Sequence, residues 1–138
     1  MLRSVWAMSK RVKIDQLDNA IMDILNEYRN ACLATADEAC KVTAKEAVQE
    51  LKAAHPPGSG QYGSWSAYNK GWTVTQTVRD KREHKGATVH NKDHYQLTHL
   101  LEKGHALPQG GRSNEYVHIA PVAEKCEEKL MQRMIHGL

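Results

Sequence analysis

The chain has 138 residues and a net charge of +3, enough for one domain and too mild a charge to require nucleic acid as a partner. Its hydrophobic content is 41% and phenylalanine is absent, so the core must rest on Leu, Ile, Val, Met, Tyr and three Trp. No apolar run approaches the ~20 residues of a membrane span, and the first seven residues are too short and mixed for a signal peptide.

Residues 1–13 read as a flexible N-terminal segment, and residues 14–138 as a single folded unit. From Ile14 to Ala54 there is neither Gly nor Pro, which predicts a long helix with Asp15 as its cap and Asp18 in its first turn. Apolar residues recur at Ile14, Leu17, Ile21, Ile24, Tyr28 and Ala31 in heptad-like steps, then weaken into Ala36, Ala39, Cys40, Ala44, Val48 and Leu51. Such a helix spans about 60 Å, longer than a domain of this size needs. Either it breaks near Thr35-Ala36-Asp37, or part of it projects and packs on a neighbour. Cys32 and Cys40 are about 12 Å apart on that helix, beyond the ~7 Å reach of a disulfide. With Cys126 they form no metal pair, and a reducing compartment is the natural reading.

Pro56-Pro57-Gly58-Ser59-Gly60 ends the helix. Tyr62, Trp65, Tyr68 and Trp72 are expected to pack in the core beneath it, because a chain without Phe must use its other aromatics inside. Trp72, Val74, Gln76 and Val78 alternate with Thr73, Thr75 and Thr77, the period of a half-buried strand. Residues 79–86 make a polar turn and Ala87–His90 a return strand, together a β-hairpin. The tip residues Arg79, Lys81, Arg82 and Lys85 are candidate contacts for DNA or a protein partner, although Asp80 and Glu83 interleave them and favour a solvated turn.

A short helix follows, its start assigned to a capping box formed by Asp93 and Gln96. Leu97, Leu100 and Leu101 give it an apolar face, and Gly104 is placed to end it in a left-handed conformation. Pro121 belongs in the first turn of a last helix along which Val122, Cys126, Leu130 and Met134 recur, with Met131 and Ile135 beside them. The fold class is therefore α+β: long N-terminal helix, small antiparallel sheet with a hairpin, short capped helix and C-terminal helix.

Five of the eight histidines fall between His90 and His118. His90 and His94 have a spacing that can hold zinc on one helix, but the capping argument leaves His90 on a strand. No His-Glu-x-x-His, Gly-x-Ser-x-Gly or phosphate-cradling sequence occurs, so no residue is assigned as catalytic, cofactor-binding or metal-ligating. A metal-dependent enzyme built on the histidines and a nucleic-acid module built on the hairpin tip are the rival functional classes.

Several segments, in order, resemble one family. Gly60-x-Tyr62 with Tyr68-x-Lys70-Gly71-Trp72, then Tyr95-x-Leu97-x-His99-Leu100-Leu101-Glu102-x-Gly104-His105, then Gly110-Gly111-Arg112 and His118-Ile119-x-Pro121, resemble the motifs of phage minor tail-component proteins. This is the tail-completion or head–tail joining family of long-tailed phages, to which the lambda minor tail protein Z type is distantly similar. Lys103 stands where the family usually has an aromatic residue. The resemblance implies a non-enzymatic virion part without a cofactor, forming a ring with other neck or tail proteins at the head–tail junction or tail, and present in the host cytoplasm before assembly. Trp72, Tyr95, His99, Leu100, Glu102, Gly104, His105, Gly110, Gly111, His118 and Pro121 then become scaffold. On this reading His99, Glu102, His105 and His118 bond one another to fix the loop, and His105→Ala lowers the melting temperature by several degrees.

Overall fold

The computed structural model describes residues 11–55, 65–78 and 85–137. The chain is α+β. A 3-10 turn at Ile14–Gln16 leads into α1 (Leu17–Ala53). There follow α2 (Trp65–Lys70), β1 (Trp72–Val78), β2 (Lys85–Asn91), a second 3-10 turn at Tyr95–Leu97, α3 (Thr98–Lys103) and α4 (Ile119–Gly137). No helix among the described residues is long and apolar enough to cross a membrane.

α1 is one unbroken helix of 37 residues, about 55 Å long. No glycine or proline interrupts it at Thr35–Asp37, so the helix does not break there, and its N-terminal half extends beyond the rest of the described body. Asp15 does not cap it: Asp15 lies inside the 3-10 turn, and the N-cap position, Gln16, makes no side-chain capping bond. The other end is closed from outside. Asn69 Nδ2 donates to the carbonyls of Lys52 (3.1 Å) and Ala54 (2.8 Å), and Trp65 Nε1 donates to Ala54 (2.5 Å). These bonds satisfy carbonyls that a helix end leaves unpaired. They also explain α2, a helix where the sequence pattern suggested only an aromatic run. Trp65, Tyr68 and Asn69 step by three and four, so the short helix faces all three inward, and Trp72 follows at the start of the next strand.

β1 and β2 pair antiparallel with Trp72 opposite Asn91, Val74 opposite Val89 and Val78 opposite Lys85. The hairpin matches the alternating pattern, and β2 begins two residues earlier than expected. The core lies between the C-terminal half of α1, α2, the sheet and the start of α4. Ala47, Leu51, Trp65, Tyr68, Trp72, Tyr116 and Val122 are buried there, with Val48, Val89, Leu101, Ile119 and Cys126 packed against them. Of the aromatic run, Trp65, Tyr68 and Trp72 are core as expected, while Tyr62 lies outside the described residues.

α4 runs antiparallel to the C-terminal half of α1 and is tied to it by charge. Lys125 and Lys129 reach Glu50, at 3.5 and 2.8 Å, and Lys129 and Arg133 reach Glu46, at 3.3 and 2.6 Å. Arg133 also donates to Thr43 Oγ1 at 2.8 Å. At the last described residue of the helix, Gly137 meets Thr35, whose side chain occupies the space a Cβ at 137 would need. Beyond that point the described body does not cover α1.

Candidate functional site

Asn91 closes the sheet and opens the histidine-rich segment. Among the described residues it is the largest fully buried side chain, at 1% exposure. Its Nδ2 donates to the Tyr68 carbonyl (2.7 Å), and its Oδ1 accepts from the backbone N–H of Asp93 (3.2 Å) and His94 (2.8 Å). Gly71 permits this, because a Cβ there would overlap the Asn91 carboxamide. The turn is thus capped by Asn91, and the expected Asp93–Gln96 box does not form. No side-chain bond caps the Tyr95–Leu97 turn or α3, and Gln96 bonds the Tyr95 hydroxyl instead. Asn91 was missed because its partner Tyr68 is 23 residues away, a distance no local pattern encodes.

Glu102, on α3, is the centre of the site. Its Oε2 accepts from the backbone N–H of His118 (2.8 Å) and Ile119 (3.0 Å), and its Oε1 from that of Ala120 (2.9 Å). One carboxylate therefore caps the first turn of α4 from a separate helix, where the helix dipole also favours negative charge. Pro121 completes the turn, as it has no N–H to satisfy. Burial opposes ionisation of Glu102, yet the three backbone donors hold its carboxyl below the usual carboxylate range.

The His118 ring is buried among Trp65, Tyr68 and Trp72, with ring centroids 5.2, 5.6 and 6.1 Å away. Its Nδ1 lies 2.6 Å from the Tyr116 carbonyl and 3.0 Å from Glu102 Oε2. A carbonyl can only accept, so the network assigns the proton of the neutral ring to Nδ1. Nε2 then accepts from the Tyr68 hydroxyl at 3.0 Å. Burial, with Glu102 nearby, pushes the Tyr68 phenol well above its ordinary value, which keeps it a donor. Both imidazole nitrogens are engaged structurally, and the enclosed ring presents no face to a substrate.

The expected four-residue network is thus half formed. Glu102 and His118 meet, whereas His99 is exposed and outside it. His105 turns into the neighbouring loop, where its backbone N–H donates to Ser113 Oγ (2.9 Å) and its Nδ1 shares a hydrogen bond with the same Oγ (2.9 Å). Because that pair is exposed, His105→Ala is now expected to shift the melt by a degree or two rather than several.

The remaining motif residues are scaffold of varied weight. Trp72 is buried at the start of β1, and Tyr95 is exposed. Leu101, rather than Leu100, packs against the core; Leu100 is half-buried and Leu97 is exposed. Lys103 is also exposed. Gly104 ends α3 with φ 68° and ψ 170°, so φ is positive as expected but the backbone is extended rather than left-handed helical. A Cβ there would lie 2.7 Å from the Ser113 carbonyl. Arg112 donates to the carbonyls of Lys103 (3.3 Å) and Gly104 (3.2 Å), closing the helix end. Gly110 and Gly111 turn the loop with φ of 95° and 83°.

Among the described residues no three His, Cys, Asp or Glu side chains are grouped to hold a metal ion. Cys32, Cys40 and Cys126 are free thiols, and burial pushes the Cys126 thiol up. Of the basic tip residues, Arg79, Lys81 and Arg82 lie outside the described residues, and Lys85 opens β2. Comparison with family models, curated proteins and solved structures finds no match to this chain.

Proposed function

We propose that the chain is a non-enzymatic structural part of a long-tailed phage or prophage particle, serving tail completion or head–tail joining through protein contacts in a ring of subunits. What supports the reading is the ordered set of motifs resembling the minor tail-component family, together with the work those residues do. Glu102, the acid of the longest motif, caps the helix that the His118-Ile119-x-Pro121 motif begins. Two segments resembling one family thus lock together as a brace. A catalytic role for His118 would need an accessible ring, and His118 is buried with both nitrogens bonded. The brace leaves the outer surfaces free to meet neck and tail proteins, and the basic hairpin tip is a candidate contact with a partner or with DNA.

The test is immunogold labelling of purified particles with an antibody raised against the chain. Gold at the head–tail junction or along the tail is the expected result. Particles that carry no label, while the free chain is abundant in the lysate, would remove the reading. Binding of the purified chain to DNA that falls steeply between low and physiological salt would instead favour the nucleic-acid class.

A further inference from the structure

The N-terminal half of α1 is the least accounted-for part of the molecule. Every residue from 11 to 30 except Ala20 is exposed, and the exposed set includes Ile14, Leu17, Ile21, Met22, Ile24, Leu25 and Tyr28. These seven side chains are between 46% and 93% exposed. At roughly 150–200 Å² for a large apolar side chain, they present on the order of 600–800 Å². That exceeds the usual apolar patch of a monomer and is about what one partner gives to a standard interface, ~800 Å².

The position of the stripe on the helix is informative. α4 contacts α1 at Thr35, Thr43, Glu46 and Glu50. Followed toward the N-terminus, the same steps of three and four lead through Ala31 to Tyr28, Ile24, Ile21, Leu17 and Ile14. The exposed stripe is therefore the continuation of the seam that α4 covers as far as Thr35. A shallow groove of about 420 Å³, lined by Ala34, Thr35, Glu38, Ala39, Val42, Arg133 and Gly137, lies where the described part of α4 ends.

Charge narrows the occupant. Residues 11–30 carry Asp15, Asp18, Asp23 and Glu27 against Arg11, Lys13 and Arg29. An anionic membrane or nucleic acid would call for an excess of Lys and Arg on the polar face, which is not present here. A near-balanced surface suits a second copy, which meets little net repulsion.

Geometry then sets direction. In a parallel pair both copies would bring α4 to the same level on the contact meridian, and the two α4 helices would collide. An antiparallel pair puts the bodies at opposite ends. With Ile21 facing Ile24 of the second copy, Leu17 faces Tyr28, Ile14 faces Ala31, and every apolar layer is matched twice by symmetry. The second helix then begins about where Gly137 ends, prolonging the line of α4.

We propose that residues 14–31 of α1 pair antiparallel with the same residues of a second copy of this chain, forming a two-fold dimer through the exposed stripe. The pairing is a property of the purified chain and does not depend on the virion reading, so the two fail separately.

The test uses the full chain in size-exclusion chromatography with light scattering. Twice the 15.6 kDa monomer mass is expected at micromolar concentration and above. The double variant Ile21→Asp with Ile24→Asp should run as a monomer with an unchanged far-UV circular dichroism spectrum, since both side chains are exposed and lie outside the core cluster. A wild-type monomer up to hundreds of micromolar would overturn the proposal, as would a dimer that survives in the double variant. Direction is read by spin labels placed singly through Lys13→Cys and Met22→Cys, in a Cys→Ala background whose spectrum matches the wild type. Antiparallel pairing puts the position-13 labels about 30 Å or more apart and the position-22 labels within about 20 Å. Short distances at both positions would overturn the antiparallel arrangement.

Discussion

Removal of the Glu102 carboxylate is the most informative perturbation of the brace. Glu102→Ala deletes the acceptor for three backbone N–H groups at the start of α4 and one neighbour of His118 Nδ1. Loss of a helix cap costs about 1–2 kcal/mol. The His118 N–H sits in a part-buried position where water replaces the carboxylate poorly, and an unsatisfied buried donor adds about 1–3 kcal/mol. The Ala120 N–H is exposed and can be rehydrated, so it adds little. A total of about 2–4 kcal/mol corresponds to a melting temperature lower by about 10 °C in a domain of this size. Glu102→Gln should lose roughly half as much, because one amide oxygen still accepts while the amide NH2 faces N–H donors. The carboxyl is held low in the fold, so its stabilisation is present above the unfolded-state value of about 4.3 and is lost as pH falls through the lower folded value. Wild-type stability should therefore decline in that acid window, and this share of the decline should be missing in Glu102→Gln. The assay is thermal unfolding by circular dichroism at one fixed chain concentration, since pairing makes the melt concentration-dependent. A Glu102→Ala melt within about 1 °C of the wild type would refute the cap argument.

Three further outcomes follow from the same contacts. Tyr68→Phe leaves the buried Nε2 of His118 without its donor and should cost about 1–3 kcal/mol, read as a lower midpoint in urea with an unchanged slope. Asn91→Asp replaces the donor facing the Tyr68 carbonyl with a second oxygen at 2.7 Å, so at neutral pH it should destabilise by several kcal/mol or prevent folding, visible as loss of the tryptophan near-UV signal. Gly104→Ala combines a positive φ with a Cβ 2.7 Å from the Ser113 carbonyl, whereas Gly110→Ala meets open space. Thermal melts should accordingly show a loss of about 2–4 kcal/mol at 104 and about 1 kcal/mol at 110.

The periodic elements were legible in the sequence and the tertiary contacts were not. α1 ends within a residue of its expected limit because Pro56 and Pro57 follow it, and β1 matches because its alternation runs without interruption. α2 was hidden: six residues are too few for a helical period to stand out beside a strand pattern, although Trp65, Tyr68, Asn69 and Trp72 carried the spacing. The start of α3 was misassigned because Asp93 and Gln96 have the right spacing, while Asn91 takes the backbone donors first from a buried position. For the site, the grouping of Glu102 with His118 was readable, but which histidines joined it was not. His99 lies on the outer face of α3 and His105 beyond the glycine that redirects the chain, so neither can reach. The partners of Lys129 and Arg133 on α1 are 79 and 87 residues away, and only packing of α4 brings them together.

Under the proposed function, the histidine-rich segment is a scaffold and the chain is a particle component that acts through protein contacts. The most direct test is electron microscopy of a lysate from the parent phage or induced prophage carrying a stop codon in this gene. Filled heads with separate tails, or tails with aberrant ends, are the predicted result, restored by a plasmid copy of the wild-type gene. Normal, infectious particles in that lysate would contradict the account.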